Sequence, residues 1–87
     1  MLPPDVKIGG HVFTVHLAEL PPESGSRSSL LDGEIVVNSG WPKSLQESAF
    51  LHEVLDLAST IYRIGLDHRD TTILGEVIYQ VMADLTG

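Results

Sequence analysis

The sequence predicts a small α+β domain, in which a sheet of about three antiparallel strands is followed by two helices. Two β-prone runs flank Gly9-Gly10, and a third, β-branched run covers residues 34–38. From residue 45 onward the apolar residues recur at helical spacing. With 87 residues, the chain is long enough for one domain, over residues 1–87, with one modest core.

The first two strands are marked by their turn and by the alternation that follows it. Gly9-Gly10 is a hairpin signal, because paired glycines adopt the backbone conformations of tight hairpin turns. In the second run the odd-numbered residues point to one face of the sheet and the even-numbered ones to the other. The side chains that we expect in the core are Phe13, Val15 and Leu17. His11 and His16 fall on opposite faces and so do not form a metal-binding pair.

The middle of the chain combines a loop with the third strand. Residues 21–29 are rich in Pro, Gly and Ser, a composition that predicts a mobile loop. A turn at Asp32-Gly33 then leads into the β-branched strand over residues 34–38. Trp41 follows this strand, and we expect it to be buried, because a large aromatic ring gains most from leaving water.

A capping signature predicts the start of the first helix. Ser44 followed three residues later by Glu47 matches a capping box, and Gly65 can end the helix in a left-handed conformation. The predicted helix covers residues 45–64. Apolar side chains occupy about two-thirds of its circumference, which indicates a mostly buried helix with one polar stripe.

The second helix is predicted over residues 71–86. Asp70 is the predicted N-cap, although Asp67 could serve if the helix starts earlier, since both carry the acceptor that an N-cap needs. The apolar residues at helical spacing are Ile73, Leu74, Val77, Ile78, Val81, Met82 and Leu85.

Composition excludes several classes of function. The formal net charge is −7, with five basic and twelve acidic residues, so no cluster of Lys and Arg is available to neutralise nucleic-acid phosphates. The chain has no cysteine, which rules out disulfides and thiolate metal sites and fits a reducing compartment. The first residues show no signal-peptide pattern, and no apolar run approaches the roughly 20 residues that span a bilayer. We therefore expect a cytoplasmic protein without a nucleic-acid or membrane partner.

The polar stripe of the first helix contains residues 51–56, L-H-E-V-L-D, one residue different from the His-Glu-x-x-His signature of zinc peptidases. His52 and Asp56 are four residues apart, so their side chains lie one turn from each other and can bind one ion. Glu53 projects beside them. The same pattern is also compatible with an ordinary exposed pair on a helix surface, and periodicity alone favours that simpler interpretation.

The surroundings of this motif resemble a known family. The stretches K-I-G-G-H-V-F-T-V, D-G-E-I-V-V-N, S-A-F-L-H-E-V-L-D-L-A and I-L-G-E-V-I-Y-Q-V-M-A-D-L cover nearly the whole chain. In order and spacing they are similar to the minimal zincin-type metallopeptidases, often phage or prophage encoded and sometimes called minigluzincins. The resemblance implies a zinc-dependent hydrolase, with a short sheet, a helix carrying the metal motif and a second helix behind it.

Carried over residue by residue, the resemblance makes His52 the first zinc ligand and Glu53 the general base. Asp56 stands where the family has its second His, and a carboxylate oxygen can also bind zinc. The family's third ligand is a Glu about a dozen residues further on, where this chain has His68 or Arg69, of which only His68 could bind zinc. A set of His52, Asp56 and His68 would keep two nitrogens and one carboxylate around Zn²⁺. Glu76, the only Glu of the last helix, is the rival third ligand.

Three hypotheses follow from the sequence. The first is a zinc metallopeptidase-like protein that hydrolyses peptide bonds, weakened because an anionic ligand leaves the metal a poorer Lewis acid. The second is a catalytically degenerate domain of the same fold that binds a phage or host protein. The third is a domain with a structural zinc. In the family, the strand that here covers residues 34–38 pairs with an extended peptide substrate at the cleft edge. The oligomeric state stays open.

Overall fold

The structure is a computed structural model that describes residues 2–86. It confirms the α+β prediction. The elements, in chain order, are β1 (Asp5–Ile8), β2 (His11–Ala18), β3 (Ser26–Ser29), β4 (Glu34–Asn38), α1 (Lys43–Ile61) and α2 (His68–Thr86).

The sheet has four strands in the order β1-β2-β4-β3, and it is mixed rather than antiparallel. β1 pairs antiparallel with β2, and β3 pairs antiparallel with β4, but β2 and β4 run parallel, with Thr14 opposite Glu34. The predicted number of about three strands is close to the four observed, and the prediction differs from the structure in the parallel pairing of the two inner strands. After β2 the chain forms β3 at the far edge and turns back as β4, which inserts between the two. Two reversals of direction make β2 and β4 parallel.

The segment predicted as a mobile loop contributes the edge strand β3. Ser26–Ser29 pairs along β4, with Ser28 opposite Ile35. Its polar composition resembles that of a loop, but backbone pairing with a buried neighbour supplies the hydrogen bonds that hold a short edge strand. As a consequence β4 is an inner strand, and the expectation that it forms the cleft edge was wrong. That position belongs to β3.

The core lies between the sheet and α1. Phe13, Ile35 and Val37 are almost fully buried, and Phe50 and Leu57 of α1 pack onto them. Of the three side chains predicted to be in the core, Phe13 is buried, Val15 packs against the core from a partly exposed position, and Leu17 is 56% exposed. α1 crosses the sheet over β1, β3 and β4. In the described part of the chain, neither helix packs over the end of β2 that carries Leu17, and this side chain is therefore exposed.

The ends of α1 differ from the prediction. Pro42 occupies the N-cap position without any side-chain hydrogen bond, so the capping box of Ser44 and Glu47 does not form. The fixed φ of proline suits the approach to a helix, and the helix begins at the next residue. At the other end Arg63 adopts the left-handed conformation, with φ of 54°, and the helix ends before Gly65.

α2 packs on α1 and, among residues 2–86, on no other element. The apolar side chains that recur at helical spacing along α2 are therefore only partly buried. Ile73, Val77, Val81 and Leu85 form a row along the outer face and are each about half exposed or more, from 48% to 80%. Within the same residues, neither helix combines the length and the apolar character needed to cross a membrane.

Candidate metal site and cleft

The pair at the centre of the site lies on α1. His52 and Asp56 are one helical turn apart, and the Nε2 atom of His52 is 3.1 Å from Oδ2 of Asp56. The apolar face of α1 is held against the sheet by Phe50 and Leu57, which turns this pair away from the core. The His52 side chain is 16% exposed and that of Asp56 is 36% exposed. The pair is thus partly shielded and still reachable from solvent.

His68 joins the pair from the start of α2. Asp67 caps this helix by accepting a hydrogen bond from the Asp70 backbone N–H at 2.8 Å, and Asp70 accepts one in return from the Asp67 N–H at 3.3 Å. The alternative start at Asp67 was thus the right one. The cap makes His68 the first helical residue, and its ring meets the His52 ring edge-on, with centroids 4.7 Å apart.

A glycine allows α2 to come this close. Gly75 is buried, and a Cβ atom there would lie 3.5 Å from the backbone nitrogen of His52. A side chain larger than alanine would therefore push the two helices apart. Because Thr72 and His68 lie one and two turns before Gly75, this close approach also brings both of them to His52.

The hydrogen bonds of Thr72 orient the His52 ring. The Thr72 hydroxyl oxygen lies 2.9 Å from the His68 carbonyl oxygen and 3.3 Å from Nδ1 of His52. The contact orients the ring in either tautomer, because a hydroxyl can donate to Nδ1 or accept from it. The Nε2 atom is left facing the Asp56 carboxylate at 3.1 Å. These two atoms form a hydrogen bond when Nε2 carries a hydrogen, and they are close enough to share a metal ion when it does not.

The three side chains form a candidate ligand set in which His68 lies further from the other two than the ligands of a bound zinc ion do. One ligating atom from each of His52, Asp56 and His68 can be chosen so that all lie within 4.8 Å of one another. Tetrahedral zinc with ligands near 2 Å requires separations of about 3.3 Å. The His52–Asp56 pair is already near that value. His68 must approach further, and as an exposed side chain on the first turn of its helix it has the freedom to do so.

Glu53 has a different environment from the one the motif implies. It is buried, and its two carboxylate oxygens accept hydrogen bonds from the Ser26 hydroxyl at 2.8 Å and the Ser28 hydroxyl at 2.7 Å. Both serines lie on β3, so this contact ties the edge strand to α1. The composition of residues 21–29 predicts a loop, so the sequence did not predict that these two serines belong to the site. Their spacing of two residues was the available signal, since it places both on one face of a strand.

A cleft of about 540 Å³ opens beside these residues. One wall is the chain leading into β3, the floor is α1, and the opposite wall is α2. Trp41 closes one side and is half-buried rather than buried. The lining residues are Glu23, Ser24, Gly25, Ser26, Trp41, Leu45, Ser48, Ala49, His52, Glu53, His68, Thr72 and Glu76.

The remaining candidates lie outside the ligand set. Within residues 2–86 the group that could hold a metal consists of the three residues named above, and the rival ligand Glu76 is not a member, although it lines the cleft. The Nε2 atom of His16 lies 3.8 Å from Oε2 of Glu34, in a pair separate from the candidate site. His11 is exposed, and its ring lies near that of Phe13.

Comparisons with known proteins give no identification. No protein-family model, no curated protein and no solved structure matches this chain. The likeness to minimal zincins therefore stays a prediction, and the function has to be argued from the site itself.

We expect replacement of Gly25 by alanine to disturb the cleft at Trp41. A Cβ atom on Gly25 would lie 2.3 Å from the indole ring, so the ring must move, at a cost of about 1–3 kcal/mol in the free energy of unfolding. Trp41 is the only tryptophan, so its fluorescence reports the change directly. The emission maximum should shift, whereas Gly10→Ala, which strains a glycine at φ of 83° but meets no neighbouring atom, should leave it unchanged. An unshifted Gly25→Ala spectrum would contradict this packing.

Proposed function

We propose that this chain binds a zinc ion through His52, Asp56 and His68 and hydrolyses peptide bonds in the adjoining cleft, with Glu53 as general base. The observation that carries the proposal is the convergence of the three ligating atoms within 4.8 Å, brought together from two helices. The absence of cysteine fits a cytoplasmic setting for this activity.

The chemistry of the donors suits zinc. Two imidazoles and one carboxylate form a mixed nitrogen and oxygen set of the kind that zinc enzymes use, with room for a further ligand. When bound, zinc would act as a Lewis acid that polarises a peptide carbonyl and lowers the pKa of a water. Thr72 orients His52 so that Nε2 faces the shared point, as an outer hydrogen-bond partner of a metal ligand does. Asp56 would balance part of the ion's charge, and catalysis would then be slower than with a neutral ligand.

The edge strand supplies the substrate side of the proposal. β3 pairs with β4 along one edge only, and the cleft runs beside the segment that enters it. An extended peptide can add to such an edge through backbone hydrogen bonds. Glu53, held between Ser26 and Ser28, lies where this strand meets α1. It would accept the proton that the attacking water loses.

The engagement of Glu53 by two hydroxyls favours a second candidate function. A carboxylate that ties β3 to α1 serves as a structural contact, and the domain would then be a catalytically silent relative of the same fold that binds a protein partner. In that case zinc, if bound, only joins α1 to α2. The variants that separate the two functions are those of Glu53.

The metal site is tested by zinc content. We expect about one zinc per chain for the untagged wild-type protein, and at least about 100-fold weaker zinc binding for His52→Ala and Asp56→Ala, because each removes a ligand. His16→Ala is the matched control, since it breaks the other histidine–carboxylate pair. Elemental analysis and competition with a chelator provide the measurements. A wild-type protein that stays free of metal at micromolar zinc would overturn the proposal.

A further inference from the structure

Apart from His52 and His68, the titratable side chains that line the cleft are carboxylates. Three carboxylates, those of Glu23, Glu53 and Glu76, are among its lining residues, whereas none of the described lining residues is Lys or Arg. The whole chain has the same sign, with a formal net charge of −7. A pocket with walls of one sign concentrates and steers ligands of the opposite sign.

Two of the three carboxylates are available to a ligand. Glu53 is buried and engaged by two serines, but Glu23 and Glu76 are exposed, and neither makes a hydrogen bond or ion pair with any residue in the described range 2–86. They come from opposite walls, Glu23 just before β3 and Glu76 on α2. A segment bound along the cleft would thus pass between two free anionic groups.

Trp41 adds a surface that suits cationic side chains. Its indole N–H donates to the Pro22 carbonyl at 2.9 Å, and its ring lies against Gly25, which fixes the ring in the cleft wall. Lys and Arg side chains bind to aromatic faces through the ring quadrupole, most strongly to tryptophan. The negative face of the same ring disfavours an anionic side chain.

A bound dication would not reverse this preference. Asp56 and Glu53 together carry the two negative charges that balance it, and Glu23 and Glu76 remain in excess. From these observations we propose that the cleft selects an extended segment of a basic polypeptide, with Lys or Arg side chains placed against Glu23, Glu76 and Trp41. This inference rests on the proposed function insofar as it takes the same cleft as the substrate site.

The selection is tested with two fluorescein-labelled peptides of equal length, one with Lys and one with Glu at alternate positions. Fluorescence anisotropy with the wild-type protein should show the Lys peptide binding at least about tenfold more tightly at low salt, with the difference shrinking as salt screens the charges. Mass spectrometry confirms that the peptide is intact during the measurement. Quenching of Trp41 by an unlabelled Lys peptide should report the same affinity.

Charge variants place the binding in the cleft. Glu23→Gln and Glu76→Gln should each weaken binding of the Lys peptide several-fold, whereas Glu19→Gln, which removes an exposed carboxylate outside the cleft lining, should not. Equal affinity for the two peptides, or an equal effect of all three variants, would overturn the inference. If the protein binds zinc and cleaves peptides but shows no preference for Lys, the proposed selectivity is refuted and the peptidase proposal stands. If the protein binds the Lys peptide selectively but binds no zinc, the peptidase proposal is refuted and the selectivity stands.

Discussion

Replacing Asn38 with alanine is expected to lower the free energy of unfolding by about 3 kcal/mol, since it breaks a buried hydrogen-bond network. Asn38 is 2% exposed. The two N–H groups of its amide are shared among the carbonyls of Leu20, Pro21 and Ser24, whose oxygens lie 3.3, 3.2 and 2.7 Å from the nitrogen. Its side-chain oxygen accepts from the backbone N–H groups of Leu20 and Gly40 at 3.4 and 2.9 Å. Alanine would remove all of these hydrogen bonds at a buried position, and of the five main-chain groups the Pro21 carbonyl would keep the Ser24 N–H as a partner.

Thermal and urea unfolding followed by circular dichroism measure the effect. A loss of this size in a chain of 87 residues corresponds to a fall in Tm of about 12–24 °C. Asn38→Asp keeps the acceptor but replaces the donors with a buried negative charge, so it should be at least as damaging. Ser39→Ala is the matched control at the exposed neighbouring position and should change stability by less than about 0.5 kcal/mol. A similar Tm for Asn38→Ala and Ser39→Ala would contradict the role of this network.

The Asn38 network also shapes the cleft. The Asn38 backbone N–H donates to the Gly25 carbonyl at 2.8 Å, and its side chain holds the preceding residues of the same segment. This segment is the wall that carries Glu23 and faces Trp41. Loss of the network should therefore also weaken peptide binding, in an Asn38→Ala protein that is still folded at low temperature.

The second large effect is expected at Glu53. Under the peptidase proposal, Glu53→Gln should reduce cleavage of the Lys-containing peptide by at least about 100-fold, because the amide cannot take up a proton. Zinc content and Tm should change little. Glutamine has nearly the same shape, its oxygen can still accept from one serine, and its NH₂ group can donate to the hydroxyl oxygen of the other. The measurements are peptide cleavage by mass spectrometry, zinc content and thermal unfolding on the same preparation.

Serine variants separate the two roles of Glu53. Ser26→Ala with Ser28→Ala removes both donors and should cost about 2–4 kcal/mol of stability. If the serines position a working base, kcat should fall while the KM for peptide and the zinc content stay near the wild-type values. Arg27→Ala, on the same strand between the two serines, is the control for general loosening of β3. A wild-type protein that never cleaves, yet loses stability in the double variant, would assign Glu53 to the silent alternative.

Local patterns predicted much of the fold and part of the site. Residues 45–61 have the helical periodicity that places His52 and Asp56 on one side and the core-facing residues on the other, and i, i+4 spacing is a property of any α-helix. The hairpin at Gly9-Gly10 and the strand over residues 34–38 likewise follow from local turn and side-chain preferences. The alternative start of α2 at Asp67 was predicted from the side-chain acceptor that an N-cap needs, which is also a local property.

Other features depend on contacts between distant segments. The segment Ser26–Ser29 forms β3 because its backbone pairs with the buried strand β4. Its own composition, which is that of a loop, does not predict this pairing. The same pairing delivers Ser26 and Ser28 to Glu53, about 26 residues further along the chain.

The sequence by itself determined which side chains stand one turn apart on a helix, because helical geometry is local and repeats every 3.6 residues. It therefore determined the His52–Asp56 pair. Only the tertiary structure decided that His68 meets this pair, since this depends on the capping of α2 at Asp67 and on the close approach of the two helices at Gly75. Only the tertiary structure decided that Glu53 is held by an edge strand, because strand pairing is a contact between segments that no local pattern encodes.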